Sequence, residues 1–77
     1  MGELDRIRWN CRRGLLELDL VLQRFVDRHY AGLTAEQKRA FEALLAEPDN
    51  DLLDLAMGRA ETDGEAARQV VLLLRSN

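Results

Sequence analysis

A single cysteine, a single histidine, a run of aspartates and an arginine-glycine-glutamate corner are the places where this sequence could do chemistry. Cys11 would be a nucleophile as an accessible thiolate. Its spacing to Leu4 and Ile7 puts it on an apolar helix face, where a lone cysteine reads as a small core residue. His29 has no second histidine or cysteine at metal-ligand spacing. It also has no nucleophile beside it to make a triad, so it reads as a helix-end histidine near the core. The stretch DNDLLD, residues 49–54, has the acid density of a calcium loop. Such a loop needs glycine at its sixth position and glutamate at its twelfth. Asp54 and Ala60 stand there, so the acids read as helix-cap and first-turn residues. Gly14 stands alone, without the further glycines of a phosphate loop.

What remains is CRRGLLELD, residues 11–19. It has a complete structural explanation. Arg12 and Arg13 close a helix, where positive charge suits the C-terminus. Gly14 takes the turn, and Glu17 opens the next helix. A functional explanation competes with it. Arg6 and Arg8 add charge that a corner does not need. A glycine flanked by a guanidinium and a carboxylate is a low-relief surface that can enter another protein's cleft and still make directional hydrogen bonds.

The elements that must position this corner are helical, because the apolar periodicity is helical nearly throughout. Leu4, Ile7 and Cys11 predict a short first helix ending near Arg12 or Arg13, with Gly14 as its stop. Leu15, Leu18, Leu22, Phe25 and Val26 predict a second helix from about Leu15 to Tyr30, closed by Gly32, with Glu17 and Asp19 in its first turns. Thr34 and Gln37 form a capping box for a third helix that presents Phe41, Leu44 and Leu45 and stops before Pro48. A short fourth helix, capped by Asp49 or Asn50, carries Leu52, Leu53, Leu55, Ala56 and Met57 up to Gly58. Thr62 and Glu65 make a second capping box. The last helix turns Ala67, Val70, Val71 and Leu74 inward, with Leu72 and Leu73 making it apolar on most sides. The fold expected is all-α, a small single-domain five-helix bundle over residues 1–77 with short connections.

Composition narrows the function. One domain of 77 residues builds a modest core and a binding surface more readily than a deep catalytic cleft. The net charge of -3 argues against general nucleic-acid binding, and a helix-turn-helix reader would need a basic recognition helix. Here only the N-terminal helix is basic: Arg6, Arg8, Arg12 and Arg13 have no acid between them, whereas the charge over residues 41–65 is almost all negative, with Arg59 the lone exception. The single cysteine excludes an internal disulfide and fits a reducing compartment. No apolar run approaches a membrane span and no signal-peptide core is evident, so a soluble cytoplasmic protein is expected, with the mitochondrial matrix as the counterpart in a eukaryote.

The stretch RIRWNCRRGLLELDLVLQRF, residues 6–25, resembles the signature region of the succinate dehydrogenase assembly factors, small flavinylation proteins marked by Arg-Gly-x-x-Glu. Here these are Arg13, Gly14 and Glu17, followed by Leu18 and Asp19. The likeness continues through Tyr30, the start of the third helix at Leu33 to Lys38, and FEALLAEPDNDLLDLAMG, residues 41–58. The chain departs from the family pattern at Leu55 or a neighbour, where a tryptophan is common, and in the order PDND. The resemblance implies a five-helix assembly chaperone that is not an enzyme. It implies binding to the flavoprotein subunit of succinate dehydrogenase, and in some bacteria of fumarate reductase, and promotion of covalent FAD attachment to a histidine of that partner. The factor would hold the partner's domains in the orientation that self-flavinylation needs. The implied contact residues are Arg13, Gly14, Glu17 and Asp19, with Arg8 and Arg12 beside them. FAD belongs to the partner, no cofactor is expected to be held stably by this chain, and the free chain is expected to be a monomer. Residue chemistry alone leaves a second class open, a helical interaction module such as an antitoxin or adaptor using the same basic corner.

Overall fold

Leucines, valines and aromatics recur every three or four residues, and each such stripe becomes the buried side of a helix. The computed structural model describes residues 2–76. Among them are five α-helices, one 3-10 turn and no strand: α1 (Glu3–Asn10), α2 (Leu16–His29), the turn Tyr30–Gly32, α3 (Ala35–Leu45), α4 (Asp49–Ala56) and α5 (Glu65–Arg75). The all-α, five-helix single domain expected from the sequence is what the chain forms. Helix α5 lies against α2, α3 and α4, with Val70, Val71 and Leu74 buried. Its partners contribute Leu18, Leu22, Phe25 and Val26 from α2, Phe41, Leu44 and Leu45 from α3, and Leu52, Leu55 and Ala56 from α4.

Aromatic rings fill the middle. Phe25 and Phe41 stack with centroids 4.6 Å apart, and the Tyr30 ring lies 6.0 Å from Phe41. The buried Tyr30 hydroxyl donates to Glu3 Oε1 at 3.0 Å. That bond ties α1 to the end of α2 and gives the phenol the polar partner burial requires. Burial, together with that bond and Glu3's charge, pushes the Tyr30 pKa up to about 12. His29 sits half-buried beside Phe25, ring centroids 5.6 Å apart. No helix among the described residues is long and apolar enough to cross a membrane.

Helix ends show where local patterns hold. The Thr34–Gln37 capping box is complete, with Gln37 N donating to Thr34 Oγ1 at 3.1 Å and Thr34 N to Gln37 Oε1 at 2.9 Å. The second box is not formed. Gly64 precedes α5 at φ +94, a conformation outside the helix, so α5 starts at Glu65 and Thr62 caps nothing. Helix α4 begins at Asp49 behind Pro48, not behind Asp49 or Asn50, and has no side-chain cap. Helix α1 ends at Asn10, short of the two arginines expected to close it. Arg12 N bonds to Trp9 O at 3.1 Å, which tightens the last turn before the chain leaves the helix. Leu4 and Leu15, expected inside, are exposed. Both lie at the outer edge of an apolar stripe, near a helix start where few neighbours cover it.

Candidate functional site

The corner between α1 and α2 is built from its backbone outward. Gly14 holds φ +84, the left-handed region that other L-residues enter at a cost. The residue preceding α2 is Leu15, which has no side-chain oxygen to cap the helix. Asp19, one turn in, points its carboxylate back at the chain that precedes the helix. Its carboxylate accepts Arg13 N at 2.8 Å on Oδ1 and Gly14 N at 3.2 Å on Oδ2. The amides of residues 13 and 14 are therefore both held by one anion, which also complements the positive end of α2.

Arg13 reaches the other way. Its side chain is only 16% exposed. Nη2 donates to Leu45 O and, at 3.0 Å, to Glu47 O, while Nη1 donates to Asn10 O at 3.2 Å. Nε lies 3.2 Å from Asp49 Oδ1, off the line of a hydrogen bond, as a partly covered ion pair. One guanidinium thus meets the end of α1, the end of α3 and the start of α4. Leu45 O is the last carbonyl of α3, where a helix has no N–H donor of its own to offer, and Glu47 O lies just beyond it.

Of the six residues expected at a contact surface, five stand at the corner itself, and Arg8, a turn back in α1, reaches along α2 to Asp27. Gly14 is exposed, and a Cβ built on it would meet nothing within 4 Å. Glu17 is exposed and engages no hydrogen bond or ion pair. Arg12 is exposed, with its guanidinium carbon 5.6 Å from the centre of the Trp9 ring. Arg8 bridges to Asp27 at 2.7 Å on the surface, an ion pair of about 0–1 kcal/mol that exchanges partners readily. The Arg13 and Asp19 side chains are engaged within the domain.

Sequence reasoning passed over the apolar part of this face. Among the described residues six large apolar side chains remain exposed, and five of them, Leu4, Trp9, Leu15, Leu16 and Leu20, come from α1, the corner and the first turns of α2. Trp9 is 66% and Leu16 78% exposed. Trp9 follows Ile7 by two positions, which on a helix is the opposite face, and that offset was the available signal. Trp9, Arg8, Arg12, Asp5 and Gln23 line an open hollow of about 250 Å³. Cys11 is fully buried beneath the corner. Burial pushes its pKa up to about 11 despite the nearby Arg13 and Arg8 charges, so its thiol stays protonated near neutral pH, as fits a core residue. No group of three or more histidine, cysteine or acidic residues is placed to hold a metal among the described residues.

Gly14 and the Glu17 carboxylate are thus the exposed, uncommitted groups of this corner, and the chain that carries them is similar to known proteins. The family model described as flavinator of succinate dehydrogenase matches residues 5–77. A FAD assembly factor from Legionella pneumophila is 42% identical over 74 residues, covering 96% of this chain and 92% of that protein. Another from Ralstonia nicotianae is 41% identical over 75 residues, covering 92% and 79%. A third, from Coxiella burnetii, is 38% identical over 66 residues, covering 86% and 80%. With the family model matching residues 5–77 and relatives 41% and 42% identical over most of the chain, the chain belongs to the family of succinate dehydrogenase flavinators, the FAD assembly factors.

Proposed function

We propose that this chain is an assembly chaperone that binds the flavoprotein subunit of succinate dehydrogenase through the α1–α2 corner and promotes covalent attachment of FAD to it. Family membership supports the activity, and one observation supports the surface: Gly14 and Glu17 are exposed and uncommitted on a turn whose backbone is fixed by Asp19. Gly14 lets the partner's backbone approach without a side chain between them. The Glu17 carboxylate, at the start of α2, accepts hydrogen bonds from the partner. Because the turn is held before binding, little ordering entropy is lost on contact. Trp9, Leu16 and Leu20 supply apolar area of the sort that anchors interfaces. Arg8 and Arg12 give the approach a positive field toward an acidic partner.

The chain itself performs no bond-making step in this reading. It orients the domains of the flavoprotein so that the partner's own histidine and its FAD meet in reactive geometry, a contribution of proximity. The FAD is the partner's, and the free chain is a monomer in this reading. The test is co-expression with the flavoprotein subunit in cells lacking their own factor, followed by denaturing gel electrophoresis and flavin fluorescence. Fluorescence on the flavoprotein band that depends on this chain supports the reading, and a band equally bright without it sinks the reading. The fumarate reductase flavoprotein subunit, run in parallel, reports whether the same corner serves a second client.

A further inference from the structure

The motif that marks this corner does not present all of its side chains to the outside. We infer that Arg13 is a positioning residue: its guanidinium locks the Gly14–Glu17 turn onto the α3–α4 connection, with Asp49 as its anchor, and leaves partner contact to Gly14 and Glu17. This rests on the proposed chaperone role for the meaning of the corner, and on the geometry alone for the role of Arg13. All three side-chain nitrogens of Arg13 are engaged, with Asn10 O, Leu45 O, Glu47 O and the Asp49 carboxylate. Turning outward would strand the Leu45 and Glu47 carbonyls at the end of α3, whose last residue is followed by Ala46 and so has no polar side chain to replace the lost donor. It would also leave Asp49 at the start of α4 without its cation.

The backbone of the same residue is fixed independently, since Arg13 N donates to Asp19. Residue 13 is thus gripped through its side chain by α3 and α4 and through its amide by α2. Gly14, the next residue, has no side chain with which to hold its own position, so its place in space is inherited from Arg13 and Asp19. Arginine suits this role and lysine does not. A planar fork reaches two carbonyls and a carboxylate at once, whereas an ammonium is a single point charge.

The experiment pairs amide hydrogen exchange on the isolated chain with flavin attachment in co-expression, at a temperature where every variant is folded. Val71→Ala, a core change distant in role from the corner, serves as the comparison for lost stability. Arg13→Ala is expected to raise exchange at Arg13 and Gly14 at least tenfold and to abolish flavin attachment. Asp49→Asn should shift both readouts the same way by less. Val71→Ala should leave corner exchange unchanged and flavin attachment intact at an equal or lower melting temperature. Arg13→Lys carries the same test if the alanine variant does not fold. Unchanged corner exchange with lost flavin attachment would make Arg13 a direct contact and overturn the inference. So would loosened corner amides with normal flavin attachment, or equal loss of function in Val71→Ala. The exchange arm needs no flavoprotein, so Arg13's hold on the turn is decided whether or not the chaperone reading survives.

Discussion

Replacing Gly14 separates a helix corner from a contact surface more cleanly than any other single change. At φ +84 an alanine pays the left-handed penalty of about 1–2 kcal/mol, and an asparagine less. Nothing further is added, because a Cβ there meets no atom within 4 Å, and the Gly14 amide keeps its bond to Asp19. For a domain of this size each kcal/mol lowers the melting temperature by about 4–8 °C. Gly14→Ala should therefore melt about 4–16 °C below the wild type and Gly14→Asn by less. A small domain with a typical 5 kcal/mol or more of stability stays folded at growth temperature in either case. The partner sees a larger change. A side chain now stands where its backbone would approach, and losing as little as 1.4 kcal/mol of contact already weakens binding tenfold. The assay is circular dichroism melting of each variant alongside flavin fluorescence of the co-expressed flavoprotein after denaturation. Both variants should be folded and fail to support flavin attachment. A folded Gly14→Asn with wild-type flavin attachment would refute the reasoning and make Gly14 a turn residue only.

Glu17→Ala should cost only about 0.3–1 kcal/mol of stability, the worth of an acid in a first helical turn, yet depress flavin attachment strongly; a wild-type yield would remove Glu17 from the contact. Raising salt from low to physiological strength should slow association with the flavoprotein, and Arg12→Glu should slow it further without changing the melting temperature; binding by surface plasmon resonance that ignores both would remove the basic block from docking. Cys11→Ser buries a hydroxyl and should lower stability by about 1 kcal/mol or more while the folded fraction still supports flavin attachment; lost function at an unchanged melting temperature would assign the thiol a chemical role. Alkaline stability tests burial directly. Cys11, pushed from 9.0 to about 11, and Tyr30, pushed from 10.0 to about 12, hold their protons more tightly folded than unfolded. Both contributions are whole below about pH 9 and lost as pH rises through 11 and 12, so the urea midpoint should fall between pH 8 and pH 11.

The sequence carries the helices because each stripe is local. Leu18, Leu22, Phe25 and Val26, or Val70, Val71 and Leu74, lie within one helix, and their spacing alone specifies a buried side. Thr34 and Gln37 form their box because both partners are three residues apart. Periodicity gives a stripe's direction but not its width, so Leu4 and Leu15 read as core and are exposed. At the corner, residue types were legible and their orientations were not. Arg13 acts across 32 positions to Leu45, and Asp19 reaches back against the chain direction to Arg13 and Gly14. No spacing rule encodes either, since both depend on where α3 and α4 come to rest. The same cause hid Asp49, which reads as a cap from its place after Pro48 and instead faces an arginine from the corner.

Helix α4 has a consequence for how the chain acquires its shape. At eight residues, with no side-chain cap, it is too short to persist alone. Arg13 meets its first residue, Asp49, and Arg75 closes its other end, with Nε donating to Leu55 O at 2.9 Å and Nη2 to Ala60 O at 2.7 Å. Its two clamps come from opposite sides of it along the chain. During synthesis from the N-terminus, the arginine that secures the start of α4 is made first, and the one that secures its end is made only after α5 has been almost fully added. The start and end of α4 are thus fastened from opposite sides of the chain, and both fastenings are complete only when the last turn of α5 is in place. A chain interrupted before Arg75 keeps the sequence of α4 but should lose its protection from proteases, with cleavage falling between Leu55 and Glu61.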